Sequence, residues 1–360
     1  MRILHLIDSG GMYGAEVALL NLAYEQTRLG FEVAILSARR PHDKSKAIDL
    51  AAESRGLRVV PWPMEPGLNL SEGKRIKKWA TDNQFQVLHS HGYKFNIIFN
   101  ALPRSNRFVF ISTIHGYTAP SIFSRLFLYK LIDLMLLGRS SAIVVVSRLL
   151  IQRYRAFKNA TFIPNGIQVD SRETNPTKDE NKYVLFLGRL SDEKDPMKIV
   201  DIFSTAVARN SPYSLVIAGD GPLRNKMENK VQQLDLRGAV KFEGYVDNPD
   251  ALIRNAAALV LTSLTEGFPM VILEAMRAGT VVFATPVGEI PAILGDRERG
   301  YLFPSNDERE MSAFLFERLA DFEEVAEISR AARDFFNDNY TARMMAERYA
   351  AVYRSKLEAL

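Results

Sequence analysis

Short apolar runs alternate with helical patterns along the chain, and no other feature of the sequence limits the fold as much. In the first half the runs are Arg2 to Ile7, Glu32 to Ser37, Arg58 to Pro61, Gln86 to Ser90, Phe108 to Ile114, Ala142 to Val146 and Thr161 to Pro164. Runs this short suit buried strands, and a helical segment between successive strands joins them in parallel as βαβ units. A polar stretch, Gln168 to Lys182, reads as a linker. The pattern then restarts with Tyr183 to Leu187, Ser214 to Ala218, Val240 to Phe242, Ala257 to Leu261 and Thr280 to Pro286. Two Ala-rich segments, Glu308 to Asn337 and Thr341 to Leu360, read as closing helices. Because 360 residues exceed one ordinary core, the predicted organisation is an α/β domain over 1–168, a linker over 169–182, a second α/β domain over 183–340 and a final helix over 341–360.

Composition narrows the function classes. With 47% hydrophobic and 24% charged residues the chain is of the globular kind. The absence of cysteine rules out a disulfide framework or a thiolate metal site, and fits the cytoplasm. The first residues enter a strand-like run without a leader, and no apolar stretch approaches the roughly 20 residues of a membrane-spanning helix, so neither is predicted. The net charge of +4 hides an asymmetry: residues 1–168 carry 22 Lys and Arg against 11 Asp and Glu, the remainder 24 against 31. A basic first half points to an anionic partner, such as a membrane surface or a phosphorylated acceptor. Nucleic acid is not predicted, since no aromatic-interleaved basic motif or helix-turn-helix pattern appears. Ser71 to Asn83 sets Lys74, Arg75, Lys77 and Lys78 beside Ile76 and Trp79, which suits a membrane-surface helix or a solvated face packed through its apolar side. Ser121 to Leu137 is apolar nearly all round, hence a buried helix or a lip for a lipid acceptor.

The chemistry concentrates at strand ends. Between the run Ala257 to Leu261 and a helix over Val271 to Ala278 lies a strand-to-helix turn, the usual place for a ligand in α/β sheets. Pro269 suits a first helical position and Gly267 allows close backbone approach. The N–H groups of Phe268, Met270 and Val271 then face an anion or hydroxyls. Glu266 and Glu274 stand eight residues apart, about two helical turns, and offer two acceptor carboxylates for sugar and ribose hydroxyls. After the first strand, Gly10 and Gly11 make a phosphate-facing loop. The spacing is not that of a dinucleotide fingerprint, and the second run ends at Ser37 rather than at an acid, which argues against a nicotinamide enzyme. His89 and His91 share a strand face, but with no third ligand visible the metal reading is set aside in favour of substrate contact.

Glu266 and Glu274, with the turn at Gly279 and Gly288-Glu289 beyond it, resemble the donor-site signature of GT-B retaining glycosyltransferases of the family 4 type. The likeness extends over nearly the whole chain: Gly10-Gly11, Thr113-Ile114-His115-Gly116, and Gly188-Arg189 through Lys194 all match family positions. It implies a GT-B fold, two Rossmann-like domains with parallel sheets facing across a cleft. It also implies transfer of a sugar from a UDP- or GDP-sugar to a hydroxyl, possible lipid-linked acceptors included, in polysaccharide, lipopolysaccharide or glycolipid synthesis at the inner face of the membrane. By resemblance, Glu266 bonds the donor sugar, Glu274 the ribose, and the Phe268 to Val271 backbone takes sugar and phosphate. Gly10 and Gly11 cap the diphosphate, Arg189 and Lys194 hold it as it leaves, and His115 reaches the reaction centre. No metal and no cofactor is implied. A sugar-nucleotide-binding module and a nucleotide-sugar epimerase of the same fold are the alternatives.

Overall fold

The computed structural model describes residues 1–9, 11–116, 125–169, 183–207 and 211–360. Contacts divide the chain into two units, Met1–Gln168 with Thr341–Leu360, and Val169–Tyr340.

The first unit is built on seven strands: β1 (Arg2–Ile7), β2 (Glu32–Arg39), β3 (Arg58–Pro63), β4 (Val87–Ser90), β5 (Val109–Ile114), β6 (Ala142–Val145) and β7 (Ala160–Phe162). All pair in parallel, in the order β3-β2-β1-β4-β5-β6-β7. The central strands β1, β4, β5 and β6 are almost wholly buried because helices cover both faces, which is why they read as continuous apolar runs rather than alternating ones. The last helix, Ala342–Glu358, belongs to this unit: Met345, Ala346, Tyr349 and Tyr353 bury against Ile3, Leu22, Val87 and Val144. Full burial of a side chain the size of Met345, Leu22 or Ile3 stabilises by about 1.5–3 kcal/mol.

The second unit has six parallel strands: β8 (Tyr183–Leu187), β9 (Ser214–Ala218), β10 (Val240–Gly244), β11 (Ala258–Leu261), β12 (Val282–Ala284) and β13 (Tyr301–Leu302), in the order β10-β9-β8-β11-β12-β13. In each sheet the strand order reverses once, between β1 and β4 and between β8 and β11. Open α/β sheets take ligands at that point, beyond the strands' C-terminal ends.

Several expectations need correction. β2 runs on to Arg39 and β3 to Pro63, since their pairing continues past the apolar core. β13, two residues long, carries too little pattern to read. The segment Glu308 to Asn337 is two helices, Glu308–Leu319 and Phe322–Asn339, because Asp321 accepts the Glu324 N–H and starts a new helix. Pro269 is the N-cap and Met270 the first helical residue. The helix over Arg125–Leu136 is not buried all round: Leu128 is 53% and Met135 72% exposed, while its Asp133 is buried. Residues 121–124 of that expected segment, and 170–182 of the expected linker, lie outside the described residues. In the basic helix Leu70–Asp82, Ile76 and Trp79 pack in the core, so only its charged face is left for a membrane.

Candidate active site

In the second unit, the loop after β8 and the loop after β11 are stitched together at the switch point. The Leu264 N–H donates to the Glu193 carbonyl at 2.9 Å, and Thr262 Oγ1 donates to the Asp195 carbonyl at 2.8 Å. This brings Lys194 to Glu266: Nζ donates to Oε1 at 2.5 Å, and Ser263 Oγ donates to the same oxygen at 2.6 Å. The Glu266 side chain is 6% exposed and that of Lys194 27%, so a nearly enclosed carboxylate is matched to a cation that still reaches solvent. Thr285 at the end of β12 fixes the base of the loop by donating to the Ser263 carbonyl at 2.6 Å. Lys194, which the resemblance pairs with Arg189 on a diphosphate, is thus half of an ion pair with Glu266. Arg189 in the same loop is exposed.

Four residues on, the helix Met270–Ala278 begins, and the N–H groups of its first turn have no partners within the helix. Glu274 lies on this helix, half-buried, and burial holds its carboxyl above the usual range, with Asp250 adding to the effect and Arg277 opposing it. Gly267 is exposed, Phe268 half-buried against Tyr340, and Met270 buried. Gly288 has φ +60° and its missing Cβ would stand 1.9 Å from the Glu266 carbonyl oxygen, so only glycine lets the loop after β12 pass behind the Glu266 backbone. Gly288→Ala should lower stability by more than about 1 kcal/mol and cut activity by displacing Glu266. Denaturant melts and initial rates check it, and an unchanged midpoint would show that the loop yields.

In the first unit the corresponding point holds a row of histidines. β1 and β4 are neighbours with His5 opposite His89, and His5, His89 and His91 come together in the core at 0%, 0% and 7% exposure. Here the expectation that the His89/His91 pair lacks a third imidazole is overturned, because sheet pairing supplies His5 from 84 residues away. The rings are bonded to one another and to their surroundings. His5 Nδ1 and His91 Nε2 lie 2.9 Å apart, His91 Nδ1 and His115 Nε2 3.2 Å, and His89 meets Tyr353 and Thr113 at 2.6 and 2.7 Å. The 2.9 Å spacing fits a hydrogen bond better than an edge of a zinc tetrahedron, which at bond lengths near 2.0–2.1 Å is about 3.3–3.4 Å. Burial lowers the pKa of all four imidazoles, those of His5 and His115 to about 4.

His91 and His115 line a cavity of about 330 Å³, together with Asp8, Tyr93, Lys94 and Lys130. Lys94 Nζ donates to Asp8 at 2.8 Å, and Lys46 approaches the same carboxylate at 3.9 Å. Asp8, Lys46 and Lys94 were not singled out from sequence; the one available signal is that Asp8 follows a strand end and Lys94 opens a helix. Gly11 sits in the turn before the helix Gly14–Arg28, and its neighbour Gly10 lies outside the described residues. His115 and Glu266 fall in different units.

Two family models cover the chain in succession: Glycosyltransferase Family 4 over residues 12–171 and Glycosyl transferases group 1 over residues 168–335. The chain belongs to the group 1 glycosyl transferases. The phosphatidyl-myo-inositol mannosyltransferase of Mycolicibacterium smegmatis is 28% identical to this glycosyltransferase over 323 residues, 86% of this chain and 81% of that one. A Campylobacter jejuni N-acetylgalactosaminyltransferase acting on an undecaprenol-linked oligosaccharide is 29% identical over 233 residues, 56% of this chain and 62% of that one. Among solved structures, Anabaena HepE in complex with UDP and glucose superposes with a TM-score of 0.82 at 18% identity, covering 99% of this chain and 100% of that one. The fold of the glycosyltransferase is thus GT-B, as expected.

Proposed function

We propose that this glycosyltransferase moves a sugar from a UDP- or GDP-sugar to a hydroxyl with retention at the anomeric carbon, its second unit holding the donor. The observation that carries this reading is the Lys194–Glu266 pair at the β8/β11 switch point, four residues before a helix start. A departing diphosphate gains negative charge, and fixed cations with a helix N-terminus stabilise such charge where it develops. Lys194, Arg189 and the Phe268 to Val271 backbone supply them without a divalent metal. As the bond from C1 to the diphosphate breaks, the acceptor oxygen attacks C1 on the same face, and its proton passes to the departing phosphate oxygen. Glu266 then holds the sugar and Glu274 the ribose, while His115, Gly10 and Gly11 keep the roles that the resemblance implies for them. Two relatives named for phosphatidyl-myo-inositol and undecaprenol-linked substrates favour a lipid-linked acceptor, and the basic first unit suits an anionic membrane surface as a peripheral site of action.

Arg189→Ala should weaken nucleoside diphosphate binding by the roughly 1.5–3 kcal/mol of a charge-assisted bond. Lys194→Ala should cost as much and also reduce stability, since it leaves the enclosed Glu266 carboxylate unpaired. Calorimetry showing unchanged affinity in both variants would remove the clamp. Release of nucleoside diphosphate only in the presence of an acceptor separates transfer from binding alone and from epimerisation, and persistence of that release in EDTA tests the metal-free clamp.

A further inference from the structure

The buried rings of the first unit form one directed chain. Each neutral imidazole has one N–H donor and one bare acceptor nitrogen, so fixing one end of a row of bonded rings fixes every tautomer along it. Low pKa values keep these rings neutral. Gln26 stands at the inner end: its Oε1 lies 2.8 Å from His5 Nε2 and its Nε2 donates to the Tyr353 hydroxyl at 3.3 Å. Bond lengths decide which way the amide points. Tyr353 meets His89 Nδ1 at 2.6 Å, the length of an O–H donor rather than of an N–H donor. Its phenol therefore donates to His89, leaving its oxygen to accept the longer N–H bond from Gln26 and directing the Gln26 carbonyl at His5.

From there the chain has one solution. His5 carries its proton on Nε2, so its Nδ1 accepts from His91 Nε2–H, and His91 Nδ1 in turn accepts from His115 Nε2–H. What remains is His115 Nδ1, bare, enclosed and with no hydrogen-bond partner among the described residues, on a ring that lines the 330 Å³ cavity. A bare, enclosed nitrogen facing a cavity is a place that a bound hydrogen-bond donor fits.

We propose that Gln26, His5 and His91 are positioning residues that set the tautomer of His115, so that its Nδ1 accepts a hydrogen bond from a sugar hydroxyl. This rests on the reading of His115 as the residue that meets the sugar. His115 can accept there and cannot donate, which selects a ligand with a hydroxyl at that point over one with a carbonyl or ether oxygen.

The test is a long-range proton–nitrogen correlation spectrum of the full-length protein with 15N-labelled histidine at pH 7.5. Five histidines give five ring systems, each assigned by its own substitution, with the exposed His42 as internal standard. His115 should show a protonated Nε2 and a bare Nδ1. Gln26→Met and His5→Phe, which remove the anchor at two places, should each turn His115 into a mixture of tautomers, leave His42 unchanged, and lower kcat about tenfold with donor KM little altered. A wild-type His115 protonated on Nδ1 overturns the proposal even if both variants fail to fold. So does a His115 tautomer indifferent to both substitutions, or stoichiometric zinc on His5, His89 and His91 in the purified protein. Full turnover in His115→Phe alongside the expected spectrum would instead overturn the role of His115 at the sugar, with the chain intact.

Discussion

Glu266→Gln should lower kcat by about 10²–10³-fold, roughly 2.7–4 kcal/mol, the scale seen when one fixed electrostatic group at a reaction centre is removed. The amide is isosteric and its Oε1 can still accept from Ser263 Oγ, so the loop should keep its shape. What disappears is the charge. Lys194 then faces a neutral group, its pull on the departing diphosphate is no longer balanced, and the donor sugar loses a charge-assisted bond about twice as strong as a neutral one. Nucleoside diphosphate affinity should hold or rise slightly. Glu274→Gln should give the opposite pattern, weaker nucleotide binding with kcat less affected, because on the proposed reading it acts through the ribose. Steady-state kinetics with the true donor and acceptor, beside denaturant melts, check both; near-normal turnover in Glu266→Gln would reduce the stretch after β11 to a helix start.

Acidification below about pH 6.5 should destabilise the first unit. A folded pKa of about 4 for His5, against 6.5 when unfolded, means the unfolded chain binds more protons between those values. Stability is thus fully present above pH 6.5 and is lost as pH falls toward 4, by about 3 kcal/mol for this fully buried ring alone. His89, His91 and His115 shift in the same direction, although coupled rings do not add independently. Gln26, Thr113, Tyr349 and Tyr353 surround the cluster, burial keeps both phenols neutral, and among the described residues no carboxylate bonds the rings to offset the loss. Urea melts at pH 7.5, 6.0 and 5.0 should show a steady fall. A flat profile across that range would mean that the imidazoles can be protonated in place.

The sequence alone determined the fold class and most of the strands. A buried parallel strand has to be a short apolar run, and the crossover to its neighbour has to be a helix, so the pattern survives without any tertiary information. It also located Glu266, Arg189, Lys194 and His115 at strand ends and loops and Glu274 on the helix that follows, since motif residues lie close together along the chain. It did not show that Lys194 donates to Glu266, 72 residues away, because that contact exists only once β8 and β11 are paired. Nor did it show the break at Asp321, where a local cap overrides a continuous helical pattern. The row Gln26–His5–His91–His115 is the clearest case. Its members come from a helix and from three strand ends or interiors, none at informative spacing, and only the pairing of β1 with β4 and of β4 with β5, with Gln26 brought in from the helix Gly14–Arg28, lays them side by side. Hydrogen-bond polarity along that row is a property of the packed core, where exclusion of water leaves each ring nitrogen one partner to choose.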